Sequence, residues 1–115
     1  MTSIQQADRE AAAVAKAPRV SLADIQRSIA HRYHFRGDEA VTAMGAEDPP
    51  ESLKVLSVCI LVLLNGWTVI GKSAPASPAN FDAMLGHKLA EEDAIRQLWP
   101  LMGFALRDRL AKESA

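Results

Sequence analysis

The chain has 115 residues, 49% of them hydrophobic and 23% charged, with thirteen basic against fourteen acidic side chains and a formal charge of -1. A chain of this length buries one modest core, and its balanced charge supplies no basic field for duplex nucleic acid or an anionic membrane. The single cysteine, Cys59, sits in the most apolar stretch, where a thiol packs as a small hydrophobe, so nothing points to a disulfide or an oxidising compartment.

Residues 1–19 mix polar side chains with alanine and lack the apolar core of a signal peptide, so they read as a frayed helix or flexible N-terminal tail ending at Pro18. A single helical domain is expected over residues 20–112, with 113–115 as its C-terminal end. Ser21 and Asp24 have the spacing of a capping box, and Val20 can staple onto Ile25. A helix is therefore predicted from Leu22 to about His31, burying Leu22, Ile25 and Ile29. Tyr33 to Phe35 suit a short strand, and Asp38 to Met44 suit a helical turn ending at Gly45.

Pro49-Pro50 open the segment Glu51 to Leu64, which is apolar on nearly every face after Leu53. Its length and its proline start favour a buried central helix. The alternative is a hairpin joining Val58–Leu64 to Trp67–Gly71, because Asn65-Gly66 is a strong turn signal between β-branched flanks. On the helical reading Asn65-Gly66 ends the helix, and Trp67–Gly71 is a short strand beside Tyr33–Phe35. The longest apolar run, Val55–Leu64, falls short of the roughly 20 residues that span a bilayer, which leads to an expectation of no membrane contact and a cytoplasmic location.

Ser77 then caps a helix that begins at Pro78 and runs to about Trp99. Pro100 lacks an amide hydrogen and obstructs the carbonyl of Arg96, so a kink or break is expected before a last helix from Leu101 to about Lys112. The fold expected is mainly α: about four helices around a central apolar helix, with a minor two-stranded β ribbon.

Gly66 to Ser73 fits the phosphate-loop pattern G-x-x-x-x-G-K-[ST] letter for letter. A working loop follows a buried strand and leads straight into a helix, whereas here Trp67–Ile70 is itself strand-like and Ala74-Pro75-Ala76 intervene. The match is therefore read as coincidental. On the predicted helix 78–99, Lys88, Glu92 and Arg96 interrupt the apolar face at i, i+4 and i+8, as a charge ladder, a subunit contact or an anion site would. His87 and Glu91 have a spacing that suits a shared metal, but no third ligand is evident beside them, so no metal or cofactor is expected. Ser73, Ser77 and His87 lack the orienting partner a serine hydrolase needs, and no catalytic residues are assigned.

Four blocks carry a family resemblance: Asn65-Gly66-x-Thr68-Val69-x-Gly71-x-Ser73-Ala74, Ser77-Pro78-x-Asn80-Phe81-Asp82, Glu92-Asp93-Ala94, and Trp99-Pro100-Leu101-Met102-Gly103-x-Ala105-Leu106-Arg107-Asp108-Arg109-Leu110. With them the chain resembles the gene-49/gene-66 product family of small tailed-phage proteins, from about Val20 to Leu110. Typical members are expected to carry an acidic residue, a cysteine and a glutamate where this chain has Lys72, Pro75 and Ala79, so the lysine that completes the phosphate-loop pattern is incidental to the family. The resemblance implies a phage or prophage accessory protein acting in the host cytoplasm.

Two uses follow as expectations. The first is a non-enzymatic binder, as a single chain or a homo-oligomer, of a small anionic, nucleotide-like ligand such as a host immune signal. Lys72, Ser73, Ser77, Asn80, Lys88, Glu92 and Arg96 would be its polar contacts, and Trp67 or Trp99 its stacking surface. The second is a module that docks on a host protein. Nucleic acid is the least favoured partner, for want of a basic recognition helix.

Overall fold

The computed structural model describes residues 3–114, so the first two residues of the expected tail and the last residue of the chain lie outside it. It contains four α-helices and one three-stranded antiparallel sheet. In chain order these are α1 (Ile4–Val14), α2 (Leu22–Ser28), β1 (Ile29–Arg36), α3 (Gly37–Ala43), β2 (Ser57–Leu63), β3 (Thr68–Ser73) and α4 (Ala83–Ser114). Sheet order is β1-β2-β3. Short 3-10 turns cover Glu51–Val55 and Pro78–Asn80.

The predicted capping box opens α2. The Ser21 hydroxyl accepts from the Asp24 amide at 3.0 Å, and the Asp24 carboxylate accepts from the Ser21 amide at 2.9 Å. Ile25 and Ile29 are buried as expected, but the helix stops at Ser28 and the chain turns directly into β1. In α1, Ile4 joins the main core, and Asp8 receives the Leu22 amide at 2.9 Å and the Arg19 guanidinium at 3.0 Å.

The central apolar segment is a strand, not a helix. Along β2, Ser57, Cys59, Leu61 and Leu63 are buried while Val58, Ile60 and Val62 are half-buried, the period of two that a strand imposes. Its outward positions Val58, Ile60 and Val62 are apolar as well as its buried ones, and such a run reads as helix or strand alike. The hairpin at Asn65-Gly66 decides between them. Gly66 has φ +88°, the Asn65 side chain accepts the Trp67 amide at 3.0 Å, and the Leu63 amide donates to the Trp67 carbonyl at 2.8 Å. The expected two-stranded ribbon is thus a three-stranded sheet, in which β3 lies beside β2 and not beside β1.

The last two expected helices are one. α4 runs 32 residues through Pro100. The missing amide is absorbed because both flanking turns are anchored. Leu98 is fully buried, the Trp99 indole N–H donates to the Val20 carbonyl at 3.0 Å, and Met102 packs against the core. The core is the layer between the inner sheet face and α4, made of Cys59, Leu61, Val69, Ala94, Ile95 and Leu98 with their neighbours.

Gly71 sets the depth of that contact. A Cβ there would lie 2.0 Å from the Ala90 carbonyl oxygen and 2.5 Å from the Ala94 nitrogen. The helix backbone therefore rests directly on β3, over small residues on both sides. No helix among the described residues is long and apolar enough to cross a membrane.

Candidate functional site

The phosphate-loop letters lie in the hairpin turn and β3, an extended edge strand paired with β2 and not a loop wrapped around an anion. The Lys72 amide donates to Asp93 Oδ2 at 2.9 Å, and its exposed side chain lies on the sheet face away from α4. Ser73 and Asn80 come together at a cavity of about 80 Å³ that Ser57, Phe81 and Asp82 also line. That volume is well below the roughly 300 Å³ at which ligand pockets begin, and the only charge on its wall is an aspartate.

The remaining expected contacts are dispersed. Ser77 is exposed before a three-residue turn, and its hydroxyl caps nothing. The start of α4 belongs to Asp82, whose carboxylate accepts the Leu85 amide at 2.8 Å and so takes the capping place that the sequence assigned to Ser77. Of the predicted charge ladder, Glu92 is buried at 7% exposure and pairs with Arg96 at 3.7 Å, while Lys88 is exposed. Trp67 is 57% exposed in the hairpin loop, and Trp99 is half-buried beneath Val20. No single pocket gathers Lys72, Lys88 and Arg96.

A second cluster lies at the seam between β1, β2 and α4. His34 and Cys59 are direct cross-strand partners on the face that α4 covers. His34 Nε2 lies 3.1 Å from Glu91 Oε1 and 3.9 Å from Cys59 Sγ. The three potential ligand atoms fall within 4.8 Å of one another. His87, one turn before Glu91, stacks its ring on His34 with centroids 4.8 Å apart. Arg32 Nε stands 3.6 Å from the same carboxylate oxygen. Burial pushes the Cys59 thiol up to about 11, with the Glu91 charge adding to the effect, so the thiol is protonated at neutral pH. His87 and Glu91 were legible as a helical pair; the other two members come from strand register, which spacing along the chain does not reveal.

A third feature is the outer face of the sheet. Cross-strand register aligns Tyr33, Ile60 and Ile70 in one row, Phe35, Val58 and Lys72 in the next, and His31, Val62 and Thr68 in a third. Tyr33 and Ile70 are 55% and 59% exposed, and Ile60 between them is only half-buried. This apolar surface lies opposite the one that α4 covers.

The fold defines a small protein of α and β structure with helix predominating, in which one long helix backs an antiparallel sheet. Residues 20–110 match the phage protein (N4 Gp49/phage Sf6 gene 66) family, and the chain belongs to it. No curated protein and no solved structure matches the chain.

Proposed function

We propose that this phage protein is a non-enzymatic accessory protein of the host cytoplasm that works by binding, with the outer face of its sheet as the contact surface. The observation that supports this is the row Tyr33–Ile60–Ile70, apolar and open to solvent on two of its three members. The occupant we favour is a second copy of the chain. An antiparallel sheet face meets its own two-fold image with the same rows opposed, as closed dimers require. Three strands of six to eight residues present roughly 300 Å² of face at the usual strand spacings, apolar through Tyr33, Ile60 and Ile70 at its middle and polar at Lys72, His31 and Thr68. A standard interface buries about 800 Å² per partner, so rim residues such as Trp67 and Lys72 must contribute as well.

Capture of a small anion is the second reading, and Lys72 is what favours it. This lysine shares a row with Phe35 and Val58 on the outer face, so two copies would bring two lysines to the interface rim, with Trp67 available for stacking. Of the binding residues expected from sequence, Lys72 and Trp67 are the two that such an interface would use. Native mass spectrometry of protein purified from infected cells tests both readings, with a dimer or higher even assembly expected. Substitution Ile70→Lys should return it to monomers with its circular dichroism spectrum retained, because Ile70 is exposed in the single chain. A wild-type chain that stays monomeric at millimolar concentration refutes self-association. A bound host polypeptide in place of a second copy would make the face a docking site for that protein.

A further inference from the structure

We propose that His34, Cys59 and Glu91 bind one divalent transition-metal ion of the zinc type at the seam between the sheet and α4. The geometry is close to what the ion needs. Bonds of about 2.0–2.3 Å to nitrogen, oxygen and sulfur place ligand atoms roughly 3.3–3.7 Å apart around a tetrahedron. Here the nitrogen–oxygen separation is 3.1 Å and the nitrogen–sulfur separation 3.9 Å, and all three atoms lie within 4.8 Å. Shifts within the reach of side-chain rotation close the remainder. His87 is exposed beside the cluster and His34 and Glu91 are only partly buried, so solvent can supply the fourth ligand.

The donor set selects the metal. One imidazole, one thiolate and one carboxylate suit Zn²⁺ or Co²⁺, whereas Mg²⁺ and Ca²⁺ take oxygen ligands. Binding converts the Cys59 thiol to thiolate with release of one proton to solvent, while Glu91 coordinates as the carboxylate and His34 through Nε2. Thiolate and carboxylate together neutralise the ion, and Arg32, with a side chain 38% exposed, turns from Glu91 to water.

A purely structural hydrogen-bond network accounts for the same atoms less well. Cys59 at 3.9 Å from the imidazole is a weak partner at best, so the pairing of these two residues across the strands gains little from hydrogen bonding.

The test is Co²⁺ titration of the full chain without a histidine tag. We expect one equivalent to bind with the intense visible bands of a tetrahedral site and a thiolate-to-metal band in the near ultraviolet, with release of one proton. Zn²⁺ should displace it and raise the melting temperature. Cys59→Ser should abolish the thiolate band, and Glu91→Gln should weaken affinity by at least about tenfold. Because Cys59 is fully buried and its variant can lose the fold, Glu91→Gln, at a half-exposed helix position, carries the decision alone if needed. Weak octahedral spectra from the wild-type chain, or unchanged Co²⁺ affinity and Zn²⁺ stabilisation in a folded Glu91→Gln protein, overturn the proposal.

Discussion

Replacing Gly71 with alanine is expected to destabilise the protein severely, although glycine to alanine removes only a hydrogen in favour of a methyl group. The added Cβ would stand 2.0 Å from the Ala90 carbonyl oxygen, where ordinary contact begins at 3.4 Å, a deficit of 1.4 Å (3.4 − 2.0) against rigid helix backbone. α4 must retreat by about 1 Å, and a gap of that order forfeits up to about half of each dispersion contact it loosens. Those contacts belong to Ala90, Ala94, Ile95 and Leu98, the helix side of the core. The cost falls at the top of the roughly 1–3 kcal/mol range for overpacking, a large share of the ~5–15 kcal/mol that holds a domain together. At about 4 °C per kcal/mol for a chain of this size, melting should fall by roughly 12 °C. Thermal and urea unfolding followed by circular dichroism measure it. Gly103→Ala is the control: nothing lies within 4 Å of its Cβ, and it sits inside the same helix. Relief of backbone entropy there should stabilise by about 0.5–1 kcal/mol. If the two variants melt together, the direct seating of α4 on β3 is wrong.

Ser21→Ala removes one half of the capping box and should cost about 1 kcal/mol in urea unfolding. Trp99→Phe keeps most of the ring's packing but loses the bond to the Val20 carbonyl, and about 1 kcal/mol with it by the same assay. Asp8 and Asp24 are both held below the ordinary carboxylate range, Asp8 chiefly by the Leu22 amide and Asp24 chiefly by the Ser21 amide. A carboxyl whose folded pKa is depressed contributes stability above its unfolded pKa of about 3.9 and loses it as pH falls through the folded value. Stability should therefore decline below about pH 4, and Asp8→Asn should flatten that decline while raising hydrogen exchange in α1. Equal acid sensitivity in wild type and variant would remove Asp8 from the account.

The parts of the fold legible in sequence are those set by neighbours along the chain. The α2 start rests on Ser21 and Asp24, and the α3 end on Gly45 with φ +103°. The Asn65-Gly66 turn was legible too, but the apolar run before it suits either a central strand or a central helix. What decides is that α4 covers one face and two strands flank the edges, none of which lies within a local window. Pro100 misleads for the same reason: its local cost is real, and tertiary anchors on either side carry the helix through it.

The candidate site shows the same division. Charges spaced along one helix were visible, and of these the Glu92–Arg96 pair forms. The His34–Cys59 pairing depends on β1 meeting β2 in one register, with residues 25 positions apart, and a slip of one residue would turn the two side chains to opposite faces. Gly71 joins both scales. As a letter it completes a phosphate-binding pattern, yet its missing side chain is what lets α4 approach the sheet closely. That approach brings Ala90 onto β3, and Glu91, the next residue, turns across the helix to the β1 side where His34 and Cys59 wait. A glycine needed for phosphate would show its loss in ligand affinity; this one should show it in stability, and in any property that depends on Glu91 reaching the strands.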